Sequence, residues 1–430
     1  MFAAYLVLVA WLVTRVKFFT NSGLSKSQLV ILFLLKVMAG IFYGWIGVYY
    51  GEMAKMIDTW WYHYESLHET QLLKNDPTEF FSNLFRNSYE GGYTKFLSTH
   101  NSWWNDVKAN FLIKIMAIFN LLSFGHYYVN VIFYSFITLF GPVAMFRVMK
   151  DVFPERRQIV LLTCFLIPSF LYWSSGLHKE GLIFVGLTLM VYHFYFGFKE
   201  NRFTTTRIFF ILFGFLLVLI LRNFVIVTLT PPLIAWVLSR RLKWKPVFTF
   251  SGIMLIFVII FFTGKYLSPK LDFPQAVVTR QQEFLRMSGG STVPVTPLEP
   301  TLSSFISNTP HAIAMSMLRP YPSDVRHLLS LAAALEINVI LLLFLVFLVW
   351  RKGRTRVSAF MLFSIFFSFA ILMMAGFTVN NLGAIVRYRS PVLPFLVIPM
   401  MALIDWERLR RLVFNDINLK NNISDSAQNP

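Results

Sequence analysis

Residues 171–181 read LYWSSGLHKEG, from Leu171 to Gly181. This polar knot separates two apolar runs, Val160–Trp173 and Leu182–Phe198. His178, Lys179 and Glu180 sit where a membrane chain should be oily or should be turning in water. A charge near the bilayer centre costs about 2.5–3.5 kcal/mol. Such a cluster belongs at a membrane face or in a cavity lined by protein.

Composition makes the membrane reading firm. Of 430 residues 56% are hydrophobic and only 14% are charged, where a soluble domain carries about 25% charge. Apolar runs of about 18 or more recur along the whole length, so the chain is polytopic and not a soluble domain with an anchor. The net charge of +18 invites a nucleic-acid partner, but its distribution argues against one. Most Lys and Arg cluster at the ends of apolar runs, as topology signals do. Cys164, the one cysteine, lies inside an apolar run, so no intramolecular disulfide forms. Met1–Val16 lacks a basic start and an Ala-x-Ala-like exit and reads as a short first span, not a signal peptide.

The expected fold is an all-α, polytopic transmembrane bundle of about 11 spans, at about 2–16, 29–50, 127–146, 158–174, 180–198, 207–221, 223–239, 246–263, 330–350, 357–378 and 389–405. Its divisions are 1–50, two helices; 51–126, a long external loop with interfacial helices; 127–263, a transmembrane core; 264–329, a second external loop; 330–405, the last helices; and 406–430, a tail. Alternate connections hold Arg15, Lys17 and Lys26; Arg147, Lys150, Arg156 and Arg157; Lys199, Arg202 and Arg207. They continue with Arg240, Arg241, Lys243 and Lys245; Arg351, Lys352, Arg354 and Arg356; Arg408, Arg410, Arg411 and Lys420. These are 22 of the 39 basic residues, and the positive-inside rule turns them to the cytoplasm. The N-terminus is then outside and the C-terminus cytoplasmic.

Lys108–Phe124 is apolar enough to span, but it carries Lys108 and Lys114 and would invert the basic loops; it reads as an amphipathic helix in the outer interface. The first loop is rich in aromatics, Trp60, Trp61, Tyr62, Tyr64, Trp103 and Trp104, which suit an interfacial belt or a sugar-stacking surface. The second loop, with Gly289-Gly290 and prolines at 294, 297, 300 and 310, is not one helix and is expected to be a flexible cover over the site. The last ten residues, NNISDSAQNP, read as a disordered tail.

Four charged clusters then share the outer side. They are Ser174–Glu180; Arg222-Asn223; LRPYPSD at Leu318–Asp324, followed by Glu336; and NNLGAIVRYRSP at Asn380–Pro391. Asp58 follows the second span. Arg forks bind phosphate oxygens in pairs, and Arg222, Arg319, Arg387 and Arg389 with Lys179 suit a phosphate head group, with His178 and Tyr388 beside them. A sugar hydroxyl attacking an anomeric carbon needs a carboxylate to orient it or take its proton. Asp58 is the first candidate and Glu180 the second. Plainer readings stand beside these. Ser174 or Ser175 caps a helix with Glu180 in its first turn; Arg387 and Arg389 snorkel; Arg222 pairs with an acid; Asp58 is a solvated loop residue; Glu336 and Lys36 pair with each other or with polar groups in the bundle. Co-location favours a site. No HExxH zinc motif or P-loop is present. His126, His178 and His311 lack metal-ligand spacing, and no cofactor is indicated beyond a divalent cation left open.

P-S-x-x-x-W-S-S-G-x-x-K-E-G over Pro168–Gly181 and R-Y-R-x-P-x-x-P over Arg387–Pro394 resemble polytopic bacterial membrane proteins of the C-type glycosyltransferase superfamily. The resemblance implies transfer of a sugar from a polyprenyl-phosphate carrier to an acceptor, outside the bacterial inner membrane, in cell-envelope glycan synthesis. It implies that the acid following the helix into the first loop, here Asp58, is catalytic. The family often has a tight acidic pair there, whereas Glu52 and Asp58 are separated. Related motifs occur in surface-polysaccharide polymerases. A polymerase or ligase acting on lipid-pyrophosphate-linked oligosaccharides, and a non-enzymatic lipid-linked-glycan flippase, are the alternatives. The partners expected are the lipid-linked sugar or oligosaccharide and membrane lipids, with no nucleic acid.

Overall fold

The computed structural model describes residues 1–49, 58–98, 101–287, 289–352 and 357–411. Glu52, Lys55, Arg354, Arg356, Lys420 and the tail 421–430 lie outside the described residues. Among those described, every extended element is a helix, and the only β pairing is two isolated bridges, Thr292 with Asn381 and Arg351 with Ile404.

Seven helices are long and apolar enough to cross a membrane: Lys26–Tyr49, Tyr127–Val152, Lys179–Lys199, Asn223–Arg241, Pro246–Tyr266, Leu328–Trp350 and Ala359–Thr378. Two bent pairs raise the number to nine if each is one span. Phe2–Val13 and Thr205–Leu221 are apolar but shorter. Tyr127–Val152 and Lys179–Lys199 form the centre, with 78% and 72% of their apolar windows buried, against 17% for the peripheral Pro246–Tyr266 and Leu328–Trp350.

The bends correct two expected spans. The stretch 158–174 is not one helix: Pro154–Phe165 and Pro168–Ser175 meet at 54°. Pro168 has no N–H to donate, and it holds Ile167 extended at φ −63°, ψ 118°, so the first helix stops before it. The stretch 389–405 likewise belongs to a pair, Leu382–Arg389 and Leu393–Leu403, bent by 64° around Ser390 and Pro391.

Between the bundle's first helices and its centre, Trp103–Ser123 packs along Asp58–Asn75. Asn120 binds the two together, donating to Ser66 Oγ at 3.0 Å and Thr70 Oγ1 at 3.1 Å. Trp103–Ser123 carries Asp106, Lys108 and Lys114 and is not among the helices fit to cross a membrane. The second loop, expected not to be one helix, holds two, Phe273–Leu285 and Leu302–Ile313, capped by Asp272 and Thr301. Gln281 ties the first of them to the bundle: its amide donates to Phe377 O at 3.0 Å and Thr296 O at 3.2 Å, and its carbonyl accepts from Leu298 N at 2.8 Å.

Contacts between helices gather the polar residues at two ends of the bundle. One end holds Lys150, Arg157, Lys199, Arg207 and Arg240. The other holds Asp58, Lys179, Arg222 and Arg387.

Candidate functional site

The short helix Pro168–Ser175 carries the polar knot. Both of its ends are held by charges from distant helices. At its N-terminus Ser169 N donates to Glu336 Oε2 at 2.6 Å. At its C-terminus Lys36 Nζ donates to Ser174 O at 2.7 Å, Ser174 Oγ at 3.1 Å and Ser175 Oγ at 3.2 Å. An acid at the first turn and a cation at the last both complement the helix dipole. Lys36 and Glu336 thus do not pair with each other; each binds an end of the same helix.

The chain then crosses to Lys179 as an extended strap. Tyr134 OH donates to His178 O. Thr59 Oγ1 donates to Leu177 O at 3.1 Å and bonds Tyr127 OH at 2.8 Å. Close backbone approach requires glycine at Gly181, where a Cβ would lie 2.5 Å from Ser174 O. Thr59 follows Asp58 directly, so one hydrogen bond fixes the strap against the start of Asp58–Asn75.

Four charged residues and a histidine meet on this strap. Glu180, 1% exposed, accepts from Arg222 Nη2 at 2.5 Å and from His178 Nδ1 at 2.7 Å, with Arg387 Nε 3.5 Å away. Asp58 lies 3.5 Å from Arg387 Nη1 and 3.8 Å from His178 Nε2. Buried Arg222, half-buried Arg387 and the imidazole surround one buried carboxylate, and such pairing is the condition under which buried charge is tolerated. The Arg222 guanidinium lies 4.5 Å from the Tyr388 ring centre, and Arg387 lies over Trp173 at 5.7 Å. His178, then Arg387 and Lys179, hold the Asp58 carboxyl well below the usual carboxylate range, against the opposing effect of burial. The side chain is 61% exposed, so water moderates that depression. Asp58 is ionised at neutral pH.

Beside the strap opens a cavity of 690 Å³. Its wall includes Lys179, Arg222, Arg387 and Tyr388. It also includes Lys108, Arg280 and Arg286, none of which the sequence singled out as a phosphate ligand. Asp106 and Glu283 are its lining carboxylates, and Glu283 is 3.1 Å from Arg280. Leu221, Phe224, Val277, Phe284 and Met374 give it an apolar side. Lys108 is pushed down to about 7, chiefly by burial and then by Lys179, Arg280 and Arg222.

The remaining candidates sit elsewhere. Asp58 and Glu180 stand behind the wall, in contact with the arginines but outside the lining. Glu180 is enclosed by its partners, a counter-ion for the cations and not an open base. Arg319 is 3.7 Å from Asp324 and 5.0 Å from the Tyr321 ring centre. Arg389, 1% exposed, donates to Arg319 O at 2.9 Å and Ser316 O at 3.3 Å. Neither lines the cavity, so the expected five-cation set loses two members. On a helix, residues two apart point about 200° away from each other, so Arg387 and Arg389 face different surroundings. Among the described residues no group of three or more His, Cys, Asp or Glu gathers where a metal ion would sit.

Arg280 was legible in principle. FPQAVVTRQQEFL buries Val277, Val278, Gln281 and Phe284, a helical stripe that places Arg280 at its edge. Comparison with protein-family models, with curated proteins and with solved structures returned no match.

Proposed function

We propose that the chain is an integral membrane glycosyltransferase that moves a sugar from a polyprenyl-phosphate carrier to an acceptor hydroxyl, on the outer face of a bacterial inner membrane. One observation carries the reading: six cations from five separate parts of the chain converge on one cavity with an apolar side. Such a cavity suits an anionic head group on a lipid tail. In the reaction the bond from the anomeric carbon to the carrier's phosphate oxygen breaks, and the phosphate leaves with the electron pair. The acceptor oxygen bonds the anomeric carbon, and its proton passes to Asp58 and on to water. The cations stabilise the charge growing on the leaving group, and positioning supplies much of the rest. The N-terminus outside and the C-terminus inside complete the proposal.

The test is transfer of labelled sugar in proteoliposomes. A new glycosidic bond supports the reading; movement of the lipid-linked sugar across the bilayer without one replaces it with a flippase. Sidedness is checked with an impermeant thiol reagent on Arg286→Cys and Lys243→Cys, of which only the first should label from outside.

A second reading draws on the position of Asp58 behind Arg387, outside the cavity lining. A polymerase or ligase driven by cations alone needs no base. Asp58→Asn separates the two: a base-dependent transferase loses about 10²–10⁴-fold in rate, and a cation-driven enzyme keeps most of it.

A further inference from the structure

We propose that this cavity takes a diphosphate, one phosphoryl group held by Lys108 and the other by Lys179, so that the sugar carrier is a polyprenyl diphosphate. The carrier's identity rests on the function proposed above; the preference for two phosphoryl groups rests on the cavity itself.

The argument is the distribution of counter-charge. The three arginines nearest the strap and the second loop are already paired: Arg222 with Glu180, Arg387 with Asp58 and Glu180, Arg280 with Glu283. Among the described residues, neither Lys108 nor Lys179 has a carboxylate within 4.0 Å, although both line the cavity. They lie close enough to each other that Lys179 helps to depress Lys108. Two like charges kept unpaired beside one cavity are unfavourable until an anion lies between them.

The whole group agrees. With every cation protonated, as they are once an anion is bound, Lys108, Lys179, Arg222, Arg280, Arg286 and Arg387 face Asp58, Asp106, Glu180 and Glu283, a surplus of two positive charges. Removing the exposed members, Arg286 and Asp58, takes one of each sign and leaves the surplus at two. A sugar joined to a lipid through one phosphate carries one negative charge, and through a diphosphate two. Transfer then breaks the bond between the anomeric carbon and the nearer phosphate, releasing polyprenyl diphosphate, while the acceptor oxygen bonds carbon and gives up its proton.

The full chain in nanodiscs is titrated with farnesyl diphosphoglucose and farnesyl phosphoglucose, in buffers of different ionisation enthalpy. The diphosphate should bind at least tenfold tighter. Lys108→Gln and Lys179→Gln should each weaken it tenfold or more. At pH 8, where Lys108 is largely neutral, the diphosphate should bring an uptake approaching one proton as that amine charges. Lys179, Arg280, Arg222 and Glu283 are the charged groups acting on Lys108, with Asp106, Arg286 and Tyr89 on the same wall. Lys108→Arg should bind the diphosphate with a smaller proton uptake than the wild type, which also controls for misfolding. Equal affinity for the two ligands, or the same proton uptake in Lys108→Arg, overturns the proposal. Faster transfer from a monophosphate carrier overturns it too and leaves the glycosyltransferase reading intact. Selective diphosphate binding with no transfer from either carrier does the reverse.

Discussion

At one end of the bundle the cations reach for backbone carbonyls. Lys150 donates to Ser22 O at 2.7 Å, Arg157 to Gly23 O, and Arg240 to Phe198 O at 3.2 Å. Their ion pairs are single and open: Lys199 with Asp151 at 2.6 Å, the lysine 53% exposed, and Lys352 with Glu155 at 3.8 Å, the acid 83% exposed. At the other end Glu180, 1% exposed, is shared by two arginines and a histidine. The same residue types serve two purposes. Open, solvated pairs contribute about 0–1 kcal/mol each and suit a chain that only needs its loops kept in water. A buried, shared carboxylate fixes several cations in one geometry, as an anion-binding cavity requires.

The contrast can be broken by substitution. Glu180→Gln should have the largest effect, destabilising by about 3–5 kcal/mol because Arg222 is left buried without its charge partner; thermal unfolding in detergent measures it. A loss as small as that of a surface pair would mean that the network is solvated and the contrast false. Lys36→Met comes next, at about 1–3 kcal/mol, since Ser174 O and two hydroxyls lose their donor. It should also slow transfer by more than its stability loss explains, because the strap is fixed from that end. Asp151→Asn should cost less than about 1 kcal/mol and leave transfer unchanged. The smallest effect is ionic: going from 0.05 to 0.5 M salt should weaken the Lys199–Asp151 contribution and leave that of Glu180 nearly untouched, because screening acts on exposed charges. Stability in the wild type and in each variant at both salt concentrations sharpens the comparison.

What the sequence made legible was what has a period or a sign. Hydropathy located the long helices, and alternation of basic loops brought Asp58, Lys179, Arg222 and Arg387 to one end. It did not reveal the break at Ile167–Pro168, because apolar composition runs through it; only the proline marks it. It grouped Arg389 with Arg387, since two neighbours in sequence share a loop but not a side of a helix. It passed over Lys108, Arg280 and Arg286 because each stands on a surface helix, where a cation is ordinary until its neighbours are known. Arg319 looked open because Asp324, five residues on, was read as part of the same motif and not as its partner.

The doubly held helix Pro168–Ser175 also constrains the order of events at synthesis. Lys36 is made 138 residues before the carbonyl it binds, and Ser169 is made 167 residues before Glu336. At about 5–20 residues per second, the ammonium waits roughly 7–28 s for its acceptor. Through that interval an ionisable group sits in a 24-residue apolar helix, at an insertion cost of about 2.5–3.5 kcal/mol. Until Pro168–Ser175 has emerged, the apolar remainder of Lys26–Tyr49 has to offset the cost of Lys36.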